Sequence, residues 1–172
     1  MKAIVVYKSK TGYTKRYAQW IAEELGCDIK ENAALKDIMG YDVVILGGGM
    51  YAGGINGVKL ITKNVDKLKD KKLVLYAVGA NTGADKDMIP VWDRILTAEQ
   101  QKEIGHFYLR GGFDFSKLGA GDKILMNMLK KHLQKLENPS EDDKGMLAAY
   151  DEPVDFVERD NIKKLVDYVR SI

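Results

Sequence analysis

The sequence predicts a doubly wound α/β domain, a parallel sheet with helices on both faces. Four apolar runs, at 3–7, 43–46, 73–78 and 107–109, lack strict alternation and so fit strands covered on both sides. Helical patterns fall between them. Loops rich in glycine and hydroxyl groups follow several of the runs, where such sheets bind their ligands.

The first strand, 3–7, opens into Ser9-Lys10-Thr11-Gly12-Tyr13-Thr14. A helix follows, with Ala18, Ile21, Ala22 and Leu25 on one face and Gly26 as its stop. A weaker strand with few apolar residues falls at 28–31. After the strand at 43–46 comes Gly47-Gly48-Gly49-Met50-Tyr51-Ala52-Gly53-Gly54. Val58, Ile61, Val65 and Leu68 then form a helical stripe, with lysines 59, 63, 67 and 69 largely outside it. The strand at 73–78 ends in Gly79-Ala80-Asn81-Thr82-Gly83, and Thr97 to Gln100 reads as a capping box that opens a short helix. The fifth strand, 107–109, runs into Arg110-Gly111-Gly112. A last helix, 161–170, carries Ile162, Leu165, Val166 and Val169 on one side.

Residues 113–159 interrupt this rhythm, being longer than an ordinary strand–helix connection. Within them 124–136 reads as a helix, followed by a polar, acidic stretch at 137–144. The 172 residues therefore form one domain with one partly helical insertion before the last helix.

Composition excludes several functions. The net charge of +2 argues against a nucleic-acid partner, and the lysines of 58–68 are not interleaved with aromatics. A single cysteine, Cys27, favours a reducing compartment. Lys2 precedes only five apolar residues, too few for a signal peptide, so the chain is expected to be cytoplasmic. There is no G-x-x-x-x-G-K-[ST] and no G-x-S-x-G, and two histidines make no metal constellation. Neither a nucleophile nor an acid or base is assigned, and any chemistry belongs to a cofactor.

Three loops carry the candidate site. In 9–14, small hydroxyl residues can wrap a phosphate, Gly12 lets the backbone approach it, and a helix N-terminus favours its charge. The other reading is a plain turn with Thr14 as N-cap. In 47–54, the glycines let a flat ring lie against backbone and Tyr51 can stack on it; alternatively Tyr51 packs on the next helix. In 79–83, small residues and an amide can meet the polar edge of a ring. Arg110 to Gly112 offers a fourth wall, with Arg110 placing charge near the ring or engaged in a surface ion pair.

Ser-x-Thr-Gly-x-Thr after the first strand, with this order of elements, resembles the flavodoxins. The resemblance implies a flavodoxin-like, three-layer, five-stranded parallel sheet of order 2-1-3-4-5. It implies FMN as cofactor, its phosphate held by Ser9, Thr11, Gly12 and Thr14, with backbone contacts from Lys10 and Tyr13. Gly48, Gly49, Met50, Tyr51, Ala52 and Gly53 would flank the isoalloxazine on one side, and Ala80, Asn81, Thr82 and Gly83 on the other. Electron-carrier flavodoxins are usually strongly acidic, unlike this chain. Leu109-Arg110-Gly111-Gly112-Phe113, the placement of the insertion and its Met- and Lys-rich helix are similar to the flavodoxin-like protoporphyrinogen oxidases. That likeness implies an oxidoreductase passing electrons to a quinone. The alternatives are an electron carrier served by redox partner proteins and a flavin-free interaction module.

In the inserted helix, Ile124, Leu125, Met128, Leu129, Leu133 and Leu136 read as one apolar stripe with Lys123, Lys130, Lys131, Lys135 and His132 around it. Such a helix (residues 123–136) can rest peripherally on the inner face of a membrane. It can equally pack on its own domain with solvated lysines.

Overall fold

The computed structural model describes residues 1–51 and 54–172. Five parallel strands form its centre: β1 (Ala3–Lys8), β2 (Asp28–Glu31), β3 (Val43–Tyr51), β5 (Lys72–Gly79) and β6 (Gly105–Arg110). They lie in the order β2-β1-β3-β5-β6, which is 2-1-3-4-5 among these five. A two-residue strand, β4 (Gly54–Ile55), folds back antiparallel on the end of β3.

Alternation along the central strands explains the three layers. Val5 and Tyr7, Val43 and Ile45, and Val74 and Tyr76 face one side, where α1 (Tyr13–Leu25) and α8 (Lys163–Ser171) pack with Tyr17, Ile21, Leu165 and Val166. Ile4 and Val6, Val44 and Leu46, and Leu73 and Leu75 face the other side. That side is covered by α2 (Leu35–Ile38), α3 (Lys59–Thr62), α4 (Asp85–Ile95) and the residues around α5 (Ala98–Glu103), through Ile38, Ile61, Met88, Trp92 and Ile104. Both faces are apolar, as a buried parallel sheet requires. The edge strand β2 is exposed throughout, consistent with its polar sequence.

Helix ends follow local chemistry. Gly26 adopts the left-handed conformation at the end of α1, and the Thr97–Gln100 capping box opens α5 as expected. The expected helix over 58–68 is not continuous. Its regular part ends at Thr62, and a 3₁₀ turn occupies Val65–Lys67. Asn64 causes the break: its side-chain amide donates to the Leu60 carbonyl at 2.9 Å, while its own N–H turns to Ile61 O. Helix α4, with Pro90 inside it, is an element the apolar pattern did not indicate.

The insertion is ordered around a small third core. β7 (Gly112–Phe113) pairs antiparallel with β8 (Val154–Asp155), closing its stem. Between them lie α6 (Ala120–Leu133) and α7 (Glu141–Ala148), packed over Phe113, Leu118 and Ala149. The Tyr150 hydroxyl donates to Met126 O at 2.5 Å and ties the end of α7 to α6. The acidic stretch at 137–144 proves partly helical, because Ser140 and Asp143 form a capping box. None of the helices among the described residues is long and apolar enough to cross a membrane.

Candidate functional site

A cleft of about 300 Å³ opens at the carboxyl ends of β1, β3 and β5, within the size range of small-molecule sites. Its floor follows from the turn after β1. Gly12 is the N-cap of α1, with φ of 93°, a left-handed conformation that glycine adopts without a Cβ penalty. The Ser9 hydroxyl accepts the Gly12 N–H at 3.1 Å and closes the loop on itself. Thr14 is therefore not the N-cap. It sits in the first turn, 3 % exposed, and lines the cleft with Thr11 and Tyr13. No acidic side chain lies in that first turn, whose N–H groups have no intrahelical partners, so the end of α1 suits an anion.

Gly47, Gly48 and Gly49 belong to β3 rather than to a loop, a correction with a steric cause. A Cβ at Gly47 would lie 1.9 Å from the Tyr76 ring, and one at Gly48 would lie 2.1 Å from the Asn56 carbonyl. The glycines let β3 run on to Tyr51 between these neighbours. Gly49, Met50 and Tyr51 line the cleft, whereas Gly48 is turned to the Asn56 backbone. Ala52 and Gly53 lie outside the described residues. Tyr51 packs on the insertion's core, and burial raises the pKa of its hydroxyl above the ordinary tyrosine range.

On the facing wall, Gly79, Ala80 and Asn81 line the cleft. The Tyr108 hydroxyl donates to Asn81 O at 2.8 Å and also meets Asn81 Oδ1, fixing the turn. Gly83 is pressed against the Tyr108 ring, and Thr82 donates to Asp142 at 3.4 Å, so these two support the loop without forming cleft wall. Arg110 is not on the wall either. Its guanidinium lies over the Phe156 ring, 3.7 Å from the centroid, with Nε buried and unpartnered among the described residues. Gly112 supplies the wall there, beside Phe113 and Asp114.

The roof had no place in the expected site. Leu118, Met126, Leu129 and Met146, all from the insertion, cover the cleft with apolar side chains. Lys10 joins roof to floor: its Nζ lies 2.7 Å from both carboxylate oxygens of Asp122 in α6 and 4.5 Å from the Tyr51 ring centroid. Asp114, only 8 % exposed, accepts the Ser116 N–H and hydroxyl, and these bonds hold its carboxyl below the usual range. Asp114 and Thr14 are the buried polar residues among those described, and both line the cleft. The described residues contain no cluster of His, Cys, Asp and Glu able to hold a metal.

The hydroxyl-lined helix N-terminus, the glycine-flattened walls and the 2-1-3-4-5 sheet define a flavodoxin-like α/β protein. The flavodoxin-domain family profile matches residues 4–140, and the chain belongs to that family. No curated protein sequence matches it. Among solved structures it is similar to the two-electron reduced flavodoxin of Megasphaera elsdenii, at 23% identity over 62% of this chain and 84% of that one, with TM-score 0.42. A flavodoxin, WrbA-like protein from Agrobacterium tumefaciens is 18% identical over 76% and 98% of the two chains, with TM-score 0.41. A flavoprotein in complex with FMN from Lactobacillus acidophilus is 18% identical over 63% and 92%, with TM-score 0.38.

Proposed function

We propose that the chain is an FMN-binding oxidoreductase whose cleft shelters the flavin beneath the insertion. One observation carries this reading: Thr11 and Thr14 at the N-terminus of α1 share a single cavity with Tyr51 and the 79–81 turn. Phosphate recognition and a ring-sized slot thus meet at one place.

The residues present fit FMN. Thr11, Thr14 and the first-turn N–H groups of α1 would hold the phosphate, with Ser9 and Gly12 shaping the loop and Lys10 and Tyr13 contributing backbone. The ring would lie between Gly49-Met50-Tyr51 and Ala80-Asn81. A Cβ at Gly49 would come within 2.9 Å of Tyr51, and one at Gly79 within 3.0 Å of the Tyr108 hydroxyl, so only glycine keeps these walls flat. When bound, FMN supplies the two-electron redox chemistry. The protein binds it, orients it and keeps water off through Leu118, Met126, Leu129 and Met146.

The specific reaction we favour is oxidation of a protoporphyrinogen-type or similar large planar reductant, with a quinone or a redox protein as acceptor. The apolar roof supports a reactant that enters the cleft. An electron carrier with no substrate of its own is the competing reading, for which the roof has no evident use.

The absorbance spectrum of the protein as purified tests FMN binding: a flavin spectrum is expected, and a colourless protein that refuses added FMN overturns the reading in favour of a flavin-free module. Turnover of protoporphyrinogen with a quinone then separates enzyme from carrier. A flavin-loaded protein that only exchanges electrons with partner proteins refutes the specific reaction.

A further inference from the structure

Arg110 ends β6 beside the cleft without forming part of its wall. It pairs with Gly79 across the sheet and stands two residues before Gly112, and both glycines line the cleft. One strand spacing, about 5 Å, therefore separates the Arg110 backbone from the wall. Its guanidinium rests on the Phe156 ring, and this platform is fixed. The Phe156 N–H donates to Gly111 O at 2.9 Å, and the Phe156 carbonyl accepts from the Asn161 amide at 3.3 Å. The Arg110 carbonyl in turn accepts the Tyr17 hydroxyl at 2.5 Å.

This arginine lacks a counter-ion among the described residues. Arg16, Arg159 and Arg170 each meet a carboxylate, from Asp155, Glu23 or Glu24. Arg110 is partly buried, its Nε is buried without a hydrogen-bond partner, and no described carboxylate reaches it. Withdrawing a charge from water in this way is unfavourable, and the aromatic contact offsets only part of that. What remains is a planar fork of donors, held in place and offered to an acceptor. The surroundings limit that acceptor. Burial pushes the Tyr108 hydroxyl up, the Arg110 charge opposes the rise and Asp142 adds to it, so both charges lie near this tyrosine. Asp142, exposed at the start of α7, would oppose a multiply charged anion more than a single carboxylate.

We propose that Arg110 anchors a carboxylate on the edge of a planar, apolar reductant whose body lies beneath the insertion's roof. The inference rests on the reading of the cleft as a flavin site open to a reactant, and it adds how that reactant is selected and oriented. The apolar roof of Leu118, Met126, Leu129 and Met146 gives a flat molecule area without direction. A two-pronged bond between guanidinium and carboxylate at one rim supplies the direction. Arg110 is thereby a specificity-determining residue, favouring a reductant acid over its ester. It stands apart from the groups that hold the cofactor, so FMN loading does not depend on it.

The probes are protoporphyrin IX and its dimethyl ester in the same dilute detergent, alike in ring and different in their carboxylates. Binding to the full chain is read from porphyrin absorbance, and FMN loading separately from the flavin spectrum. Wild type should bind the acid roughly ten- to a hundred-fold more tightly than the ester, the size of a charge-assisted hydrogen bond. Arg110→Gln should erase that preference while leaving ester affinity and FMN loading unchanged. Arg110→Lys should restore part of the preference, because an ammonium keeps the charge and loses the fork. Equal binding of acid and ester by wild type, a preference that survives Arg110→Gln, or failure to bind either probe overturns the proposal. So does loss of FMN from Arg110→Gln, which would return the residue to the cofactor's own contacts. A colourless chain that refuses FMN fails the flavin reading on its own measurement, whereas a flavin-loaded chain blind to the carboxylates fails this proposal alone.

Discussion

The ammonium of Lys10 lies 2.7 Å from each carboxylate oxygen of Asp122, joining the turn after the first strand to a helix 112 residues later. The pair is partly exposed, so it contributes little stability, on the order of 0–1 kcal/mol. Its value is geometric, because it fastens the roof of the cleft beside the phosphate end. Asp122→Asn should leave the melting temperature nearly unchanged and speed FMN release, by up to about five-fold for a loss of that size. Stopped-flow fluorescence at low and high salt checks this. A release rate equal to that of wild type would show that the roof closes without the latch.

Thr14 is the buried hydroxyl of the proposed phosphate site. Hydrogen bonds to charged groups contribute about 1.5–3 kcal/mol, so Thr14→Ala should weaken FMN binding by roughly ten- to a hundred-fold. Folding should change little. Fluorescence titration of FMN reads the affinity, and an unaltered value removes Thr14 from the site.

Gly47 and Tyr76 are pressed together at the centre of the sheet. Gly47→Ala would drive a Cβ into the Tyr76 ring, and overpacking of this kind costs about 1–3 kcal/mol or more. Tyr76→Val in the same chain should recover part of the loss. Tyr76→Phe alone should raise the melting temperature, because the Tyr76 hydroxyl is buried with no hydrogen-bond partner among the described residues. Thermal melts of the three variants decide the matter, and a lower melting temperature for Tyr76→Phe would reveal a partner for that hydroxyl.

Asp114 links the cleft to pH. Its carboxyl is held below the ordinary value by Ser116, so the folded state favours the charged form. The resulting stability is fully present above the unfolded-chain value of about 3.9 and is lost as pH falls through the lower folded value. Asp114→Asn should therefore lower stability by a constant amount at neutral pH, with the gap to wild type narrowing below about pH 4. Urea melts across that range test the sign, and a gap that widens on acidification contradicts it.

The sheet was legible because its strands carry their own signal. Even the exposed edge strand at 28–31 could be placed, and Gly26 marked the end of α1. The helix at 58–68 was overextended because periodicity does not register that the Asn64 side chain competes for Leu60 O. In the 137–144 stretch, the Ser140–Asp143 capping box was the overlooked signal for α7, hidden by the acidic composition around it.

The candidate site divided similarly. Thr11, Thr14 and Asn81 were reachable from segments that follow strands and Tyr51 from the glycine run that proves to end β3, and the four do meet in one cleft. Arg110 was misplaced, because its stacking on Phe156 depends on a residue far along the chain. Phe113, Asp114, Leu118, Met126, Leu129 and Met146 were missed as wall and roof. Their arrival at the cleft is set by how the insertion folds back, and no local pattern records that.

The pairing of Phe113 with Val154 makes the insertion a detachable part. Its two ends are neighbours on antiparallel strands, so a two-residue hairpin turn can rejoin the chain once 114–153 are removed. The remaining chain keeps both faces of the sheet covered, since the insertion's core is separate from the two that flank it. The same stem makes the segment a transplantable cassette: grafted onto another scaffold through that strand pair, it would carry its own small core and its latch carboxylate together.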